Sequence, residues 1–428
     1  MKKQRNMAVA ALALIDETFG AEADNKAPSS EQASDTPTAG DISAEISTEA
    51  HLAGGREGIK TALVLSGGGS RGAYECGAWQ AVVELGIRID MVVGVSVGAL
   101  NGAMVAQGDQ PLTSELWRSI ETDKVFDVPA DAQLIDYAQE FFRQGGATSK
   151  GLQRIAKKYI NEDIIRKSDV DFGLLTVETP SMKPHYLWKE DIPEGRLHDY
   201  IIASASAFPA VHRYRIDGKD YIDGGYENVI PIHMAWERGA DKVIAVYLKA
   251  PGKFIPDEIR FRQRDITLIQ PNIDLGNFLV FDRGNNRRIM RLGYLDAMRA
   301  FGVYDGSYFS FVKRDFDTRT VKGADAAGRI FGLDPLILYR RQAFLGALLS
   351  GVVDASVAVD EIAGLKELRL DAIREIAKQI NKKAATVYIA RDLKSKGNKS
   401  LFSNASYIPR AVRDQVLAAK FLVKCGLI

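Results

Sequence analysis

One serine stands in a pattern that can turn its hydroxyl into a nucleophile. Ser96 is the centre of the string Gly94-Val95-Ser96-Val97-Gly98, which follows an apolar, strand-like stretch and precedes a helix-forming run. The glycines at 94 and 98 leave room for a tight strand-to-helix turn that projects a hydroxyl from a sheet, and the helix N-terminus behind it favours developing negative charge. Because such short strings also occur by chance, the prediction depends on partner motifs elsewhere in the chain.

The upstream partner is a glycine-rich segment that can bind an anion. It reads Gly67-Gly68-Gly69-Ser70-Arg71-Gly72 and lies between an aliphatic run at 61–65 and an amphipathic stretch at 73–85. Consecutive glycines between a strand and a helix expose several backbone N–H groups with no side chains in the way. In acyl transfer the anion is the tetrahedral oxyanion, and losing one donor to it typically costs about 2.7–4 kcal/mol of transition-state stabilisation.

The same segment also has the spacing of a dinucleotide fingerprint, with glycines at 67, 69 and 72. A Rossmann unit needs an acidic residue at the end of its second strand to hold the ribose, but Asp90 stands at the start of that strand. No Gly-Lys-Ser/Thr follows to complete a phosphate-binding loop. Nucleotide binding is therefore disfavoured, and a glycine loop without any ligand stays an alternative.

The downstream partner is Asp223-Gly224-Gly225, which follows a predicted hairpin at 214–222 built around an Asp-Gly turn. Pro231 can open a helix shortly afterwards. This places Asp223 at the end of a strand, beside glycines that let another backbone come close. A carboxylate next to a serine hydroxyl can accept its proton, and partial burial raises the pKa of such a group towards a useful value. Taken alone, the string is more typical of a plain turn.

Together these three motifs resemble those of the patatin-like phospholipase family. That family has a glycine-rich oxyanion loop, a Gly-x-Ser-x-Gly elbow and a downstream Asp-Gly-Gly or Asp-Gly-Ala. The segment 203–209 of this chain, Ala-Ser-Ala-Ser-Ala-Phe-Pro, resembles the family's small-residue and proline block, and 292–297 resembles the closing helix of small bacterial members. The resemblance covers about residues 60–301, in the family's order.

The resemblance implies that Ser96 is the nucleophile and Asp223 the base of a dyad without histidine, working through an acyl-serine intermediate. It implies that backbone N–H groups of Gly68 and Gly69, with their neighbours, form the oxyanion hole. No cofactor is implied. The full set of implied site residues is Ser96 and Asp223 as catalytic residues, Gly67, Gly68, Gly69, Arg71 and Gly72 at the oxyanion hole, and Gly94, Gly98, Gly224 and Gly225 as elbow and aspartate-loop glycines.

A histidine-containing triad is a second interpretation of the elbow, in the order serine, acid, histidine. His233 follows Asp223, but the pattern places it on the helix opened by Pro231, where a loop position would be expected. A metal site is not expected, because no two histidines share a helical face at ligand spacing and the two cysteines, Cys76 and Cys425, are isolated.

Alternating strands and helices after residue 58 imply a largely parallel sheet covered by helices on both faces, a three-layer α/β/α architecture. Further strands are predicted at 173–177, 242–248 and about 266–269, and mainly helices at 109–165. Ser96 would lie at the carboxyl end of a strand, where such sheets bind ligands. We expect a leader at 1–58, a patatin-like catalytic domain at 59–303 and a mainly helical extension at 304–428.

The extension shows helical spacing of apolar residues at 336–359 and 362–380, and Asp354 argues against a membrane span in the first of these. Basic residues recur nearby, so one hypothesis is peripheral contact with an anionic lipid surface. Solvated faces of a small helical cap are the favoured alternative. A near-neutral net charge of +1 over 428 residues, without a basic groove studded with aromatic residues, gives no indication of nucleic-acid binding.

The leader begins with basic residues, a short apolar run at 7–15 and a possible cleavage site at 21–23, which together resemble a secretory signal. Asp16 and Glu17 interrupt the approach to that site, so a disordered acidic leader and a cytoplasmic protein are favoured over export, with peripheral contact to a membrane as a further hypothesis.

The function expected from the resemblance is hydrolysis of phospholipid or lysophospholipid esters. The alternatives are a general carboxylesterase or thioesterase, and a catalytically silent lipid-binding or storage protein.

Overall fold

The computed structural model describes residues 58–126, 147–255, 265–364, 381–400, 402–403, 408 and 412–428. Described residues up to Gly302 belong to one compact unit, and those from Val303 onwards belong to a second. The predicted leader with its signal-like stretch, and most of the helix predicted at 362–380, lie outside the described residues.

The first unit is built on one eight-stranded sheet. Its strands are β1 (Thr61–Leu65), β2 (Met91–Val95), β3 (Asp171–Thr179), β4 (Lys183–Trp188), β5 (Tyr214–Ile216), β6 (Lys219–Asp223), β7 (Lys242–Val246) and β8 (Asp265–Ile269). The order across the sheet is β5-β6-β3-β2-β1-β7-β8, and β4 pairs with β3 off this path. Five neighbouring strands of this order run parallel, namely β3, β2, β1, β7 and β8. This confirms the predicted largely parallel sheet.

Helices cover both faces of this sheet. They are α1 (Gly72–Glu84), α2 (Val97–Gln107), α3 (Gln110–Ser119), α4 (Thr122–Phe126), α5 (Lys150–Tyr159), α6 (Glu162–Lys167), α7 (Leu197–Ser204), α8 (Ile232–Glu237) and α9 (Arg283–Ala300). On one face, Ala62 and Val64 pack with Ile232 and Ala235 of α8. Alternate strand residues such as Leu63 point to the opposite face and are also fully buried, which is the pattern of a sheet enclosed on both sides.

The predicted elements around the motifs are confirmed with small shifts of their ends. The run at 61–65 is β1, the stretch after the glycine loop is α1, the hairpin at 214–222 is β5 and β6, and the helix after Pro231 is α8. Helix α9 contains the segment 292–297 and packs along α1, where Tyr74 donates a hydrogen bond of 2.5 Å to Asp296. Strand β4 was not predicted: Pro184 interrupts its pattern, which a strand outside the main path of the sheet tolerates.

The second unit is mainly helical, as predicted, around a small three-stranded sheet that was not predicted. Its elements are β9 (Tyr304–Asp305), β10 (Ser310–Val312), α10 (Thr318–Phe331), β11 (Leu338–Tyr339), α11 (Arg341–Gly364), α12 (Lys382–Lys396) and α13 (Arg413–Lys424). Strands of two or three residues are too short to show a period. Phenylalanines fill the core of this unit, with Phe311 and Phe344 packed edge to face at 4.9 Å between ring centroids.

Within α11, the stretch Arg341–Asp360 is long and apolar enough to cross a membrane by length and composition, with a mean hydropathy of 1.6. One of its faces contributes Phe344, Leu348 and Val352 to the core of the second unit, while Val353 and Val357 on another face are exposed. The expected absence of a membrane span, and with it the expected cytoplasmic or membrane-peripheral location, stays a prediction.

Candidate active site

The register of the sheet brings Ser96 and Asp223 to neighbouring positions. Strand β2 ends with Val95 opposite Leu175 of β3, and β6 ends with Asp223 opposite Thr176. Strand β4 pairs with both Leu175 and Thr176, so it occupies the other edge of β3. Strands β2 and β6 therefore share one edge of β3 and approach it from opposite directions, and their last residues meet.

Ser96 occupies the sharp turn between β2 and α2 that its flanking glycines predicted. Its backbone φ of 57° and ψ of −125° lie in a region that residues other than glycine rarely adopt. A Cβ on Gly94 would clash with the carbonyl of Gly98, and a Cβ on Gly98 would clash with the carbonyl of Leu65. Both glycines are thus required by close backbone contacts within the elbow.

Ser204 holds this elbow in place and was not singled out from the sequence. The Ser96 N–H donates a 3.0 Å hydrogen bond to the Ser204 Oγ, and that hydroxyl donates in turn to the Leu175 carbonyl at 2.7 Å. Ser204 is fully buried at the end of α7. It lies in the small-residue block at 203–209. The similarity of this block to that of the family was the only feature of the sequence that could have indicated a role for Ser204. The block therefore links the elbow to strand β3.

The Asp223 carboxylate is buried, and it lines the same cavity as Ser96. Its Oδ1 accepts a 2.7 Å hydrogen bond from the Gly225 N–H. Burial raises the pKa of Asp223 from 3.8 to about 6, although the nearby Ser96 side chain and the Gly225 N–H oppose the shift. A Cβ on Gly224 would clash with the carbonyl of Leu175. The close contact at Gly224 shows that the aspartate loop packs directly against β3. With a pKa of about 6, the Asp223 carboxylate is mostly ionised at neutral pH.

Of the five predicted oxyanion donors, the structure leaves two available. The Gly67 N–H donates to the Val229 carbonyl at 2.9 Å, the Arg71 N–H donates to the Gly68 carbonyl at 3.1 Å, and the Gly72 N–H is bound within the same turn. The N–H groups of Gly68 and Gly69 have no hydrogen-bond acceptor among the described residues, and both glycines line the same cavity as Ser96 and Asp223. Of the five predicted donors, only Gly68 and Gly69 therefore have backbone N–H groups that could bind an oxyanion here.

Arg71 has a different position from the one expected of an oxyanion donor. Its guanidinium donates to the carbonyl of Gly276 at 2.8 and 3.0 Å and to that of Lys249 at 3.1 Å. Two residues earlier, Gly69 has a φ of +56°, and a Cβ there would clash with the carbonyl of Phe278. These contacts fasten the glycine loop to two other loops, and Arg71 does not line the cavity.

A cavity of about 560 Å³ extends from Ser96 and the glycine loop. Aliphatic and aromatic side chains from the four helices α2 to α5 and from several loops make up most of its described lining. They include Leu100, Met104, Leu116, Trp117, Ile120, Phe126, Leu152, Ile155, Phe208, Val211, Phe278, Leu279 and Phe281. Such a lining binds hydrocarbon and excludes water.

One wall of the cavity is fixed by a buried amide, Asn101. Its Nδ2 donates to the Gly72 carbonyl at 3.0 Å and to the Glu75 carboxyl at 2.8 Å, and its Oδ1 accepts from the Trp117 indole at 2.9 Å. Burial raises the pKa of Glu75 well above its usual value, which favours the neutral acid. Asn101 therefore joins α1, α2 and α3 around the cavity.

No histidine lines the cavity in the part of the chain that the structure describes. His233 lies on α8, as predicted, and its ring packs against Tyr186 at 4.9 Å. The described residues contain no cluster of side chains that could hold a metal ion. A dinucleotide site needs an acidic residue at the end of the second strand, but Asp90 stands at the start of that strand. There its carboxylate accepts a hydrogen bond from the Thr61 N–H at 2.8 Å. The triad, metal and dinucleotide interpretations gain no support at this site.

Comparison with known proteins identifies a matched segment that contains the glycine loop, Ser96 and Asp223. Residues 63–236 match the family model described as patatin-like phospholipase. Human patatin-like phospholipase domain-containing protein 6 is 30% identical over 194 residues, which is 44% of this chain and 13% of that protein. The neuropathy target esterase sws of Drosophila melanogaster is 30% identical over 200 residues, with the same shares of both chains.

Lysophospholipase NTE1 of Mycosarcoma maydis is 26% identical over 195 residues, which is 44% of this chain and 10% of that protein. The similarity to these curated relatives thus spans only a small part of their length. Among solved structures, that of VipD from Legionella pneumophila aligns over 86% of this chain and 91% of its own, with 12% identity and a TM-score of 0.37.

Proposed function

Because residues 63–236 match the patatin-like phospholipase model, we propose that this chain hydrolyses carboxylic esters of phospholipids or lysophospholipids. One observation carries the proposal. A serine side chain and a buried carboxylate, whose pKa that serine lowers, line one large apolar cavity, beside two backbone N–H groups that lack acceptors among the described residues. The names of the relatives, which include an esterase and a lysophospholipase, agree with this chemistry.

In the first half of the reaction, the Asp223 carboxylate accepts the hydroxyl proton of Ser96 as the Oγ attacks the ester carbonyl carbon. The carbonyl oxygen becomes an oxyanion and accepts hydrogen bonds from the N–H groups of Gly68 and Gly69, and the N-terminus of α2 adds favourable electrostatics. The carbon–oxygen bond to the alcohol then breaks. The leaving alkoxide takes the proton from Asp223, which leaves an acyl-serine.

In the second half, Asp223 accepts a proton from a water molecule as that water attacks the acyl carbonyl. The new oxyanion uses the same two N–H groups, and its collapse releases the fatty acid while the Ser96 Oγ regains its proton. A carboxylate is a weaker base than imidazole. Burial raises the pKa of Asp223 to about 6, which brings this base nearer to neutral pH.

The cavity supplies a place for the acyl chain. Leu100 and Met104 lie four and eight residues after Ser96 on α2, and both line the cavity. Eight residues of helix rise about 12 Å, so apolar lining extends at least that far from the nucleophile. Burial of the chain there contributes about 0.8 kcal/mol for each methylene group, which favours long acyl chains over short ones.

A fluorophosphonate probe and product analysis together test this proposal. We expect the probe to label the wild type and Ser181→Ala, a control at an exposed serine, but not Ser96→Ala. Mass spectrometry of a mixed phospholipid pool should show lyso-products and free fatty acids. Asp223→Asn should lower their rate about 10²–10⁴-fold, while Asp220→Asn, a control on the same strand, should not.

Three outcomes would contradict the proposal or replace it. Labelling that survives in Ser96→Ala would remove the nucleophile, and full turnover by Asp223→Asn would remove the base. Rapid cleavage of short esters without any gain from longer acyl chains would indicate the general carboxylesterase or thioesterase. Lipid binding without Ser96-dependent labelling or turnover would indicate a silent lipid-binding protein.

A further inference from the structure

The described lining of the cavity contains a single basic side chain. Among the described residues around this cavity, only Asp223 and Lys253 carry a full charge at neutral pH, and Asp223 serves as the proposed base. The rest of that lining is aliphatic, aromatic or uncharged. A lone cation on an otherwise apolar wall is the feature that the acyl-chain pocket does not explain.

The backbone holds Lys253 next to the aspartate loop. Its N–H donates to the Gly225 carbonyl at 2.8 Å, and its own carbonyl accepts the Val229 N–H at 2.8 Å. Gly225 is the residue whose N–H binds the Asp223 carboxylate. The lysine is therefore fixed at the end of the cavity where the ester would react, and not at the end that would hold the tail of the acyl chain.

The ammonium group of Lys253 remains reachable from solvent. Half of its side chain is exposed, at 53%, and its Nζ lies 3.0 Å from the Glu227 Oε2. An ammonium has three N–H donors, so this ion pair leaves donors for another anion. An exposed ion pair of this kind is also worth little by itself, so a competing anion can displace it.

From this placement we propose that Lys253 binds the phosphate of the substrate headgroup and so selects phosphate-bearing lipid esters over uncharged ones. The inference rests on the proposed function, because it assumes that the ester reacts at Ser96. In a glycerophospholipid the phosphate is attached to the same glycerol as the ester, so a cation beside the reacting group lies within its reach. Lysine is suited to this role, since its ammonium is a compact charge on a flexible stem.

Two substrates with the same acyl chain isolate the headgroup. They are 1-oleoyl-lysophosphatidylglycerol, whose only charge is on the phosphate, and 1-oleoylglycerol, which is uncharged, each at the same mole fraction in neutral detergent micelles. The measured quantity is the ratio of their kcat/KM values. Lys253→Gln should lower this ratio about tenfold, as expected for loss of one hydrogen bond to a charged group.

The matched control is Lys219→Gln. Lys219 is similarly exposed and pairs with Glu178, but it does not line the cavity, so its loss should leave the ratio unchanged. Glu227→Gln should keep the ratio at least as high as in the wild type, because the competing carboxylate is gone.

The outcomes are separable. A ratio unchanged in Lys253→Gln would overturn the inference and leave the proposed function standing. Equal slowing of both substrates in Lys253→Gln and Glu227→Gln, with a lower Tm in both, would overturn it in favour of an ion pair that only braces the aspartate loop. If neither ester is hydrolysed in a Ser96-dependent way, the proposed function fails and takes the inference with it.

Discussion

Replacing Asp223 by asparagine should slow catalysis about 10²–10⁴-fold and, above pH 6, stabilise the fold. The carboxylate is buried, and burial raises its pKa from 3.8 to about 6. A folded-state pKa above the unfolded value means that the protonated form is the one that the fold favours. The contribution of Asp223 to stability is therefore fully present below about pH 3.8 and is lost as the pH rises through about 6. Asparagine has a similar shape but carries no charge at any pH.

The size of this effect follows from the shift. About two pKa units correspond to about 3 kcal/mol, the free energy that the wild type gives up to hold an ionised carboxylate at neutral pH. Because the pKa of about 6 lies within the pH interval of the experiment, about 2 kcal/mol of this loss of stability should occur between pH 4.5 and pH 7.5. The unfolding free energy of Asp223→Asn relative to the wild type should rise by that amount over this interval.

Urea unfolding followed by tryptophan fluorescence measures this difference. All four tryptophans of the chain, at 79, 117, 188 and 236, lie in the unit that contains Asp223, so the signal reports on that unit. Comparing one variant at two pH values cancels any difference in packing between asparagine and a neutral aspartic acid. Asp220→Asn is the control, because Asp220 lies on the same strand in an exposed ion pair with Arg215.

A difference between Asp223→Asn and the wild type that is the same at pH 4.5 and pH 7.5 would refute this reasoning. It would mean that the carboxylate is not destabilised by burial, and that its pKa in the folded state is close to its ordinary value. The same rise in Asp220→Asn would assign the effect to the net charge of the unit.

The remaining predictions concern the acid, the elbow, the glycine loop and the cavity. kcat/KM should fall about tenfold for each pH unit below about 6, because only ionised Asp223 accepts the Ser96 proton; a pH profile checks this. Ser204→Ala should leave the buried Ser96 N–H without an acceptor, so urea unfolding should show a loss of about 1–3 kcal/mol and kinetics a lower kcat. Gly69→Ala should displace the loop, and an ester assay should show kcat lower by about 10²-fold or more. Met104→Trp should lower kcat/KM for long-chain p-nitrophenyl esters and leave short-chain esters largely unaffected, because it fills only the distal cavity.

Much of the local structure could be predicted because its causes are local. The aliphatic run of β1 and the alternation of strands and helices depend on residues close together in the chain, and they indicated a parallel sheet enclosed by helices. The elbow at Ser96 was predictable for the same reason, since its two glycines are needed where the chain turns back on itself. Strand β4 was missed because its half-exposed residues and Pro184 give no clear period.

What the sequence determined, then, is which chemical groups the chain presents: a serine on a turn, an aspartate at a strand end and a run of glycines between a strand and a helix. Only the tertiary structure decided that β2 and β6 meet on one edge of β3. It also decided that the Gly67 N–H donates to the Val229 carbonyl, while the N–H groups of Gly68 and Gly69 have no acceptor among the described residues. Finally, it placed apolar side chains around the cavity at the serine. The physical reason is the separation along the chain between the residues that interact. Turn and strand preferences act over a few residues, whereas hydrogen-bond acceptors, burial and the resulting pKa are set by groups distant in the chain.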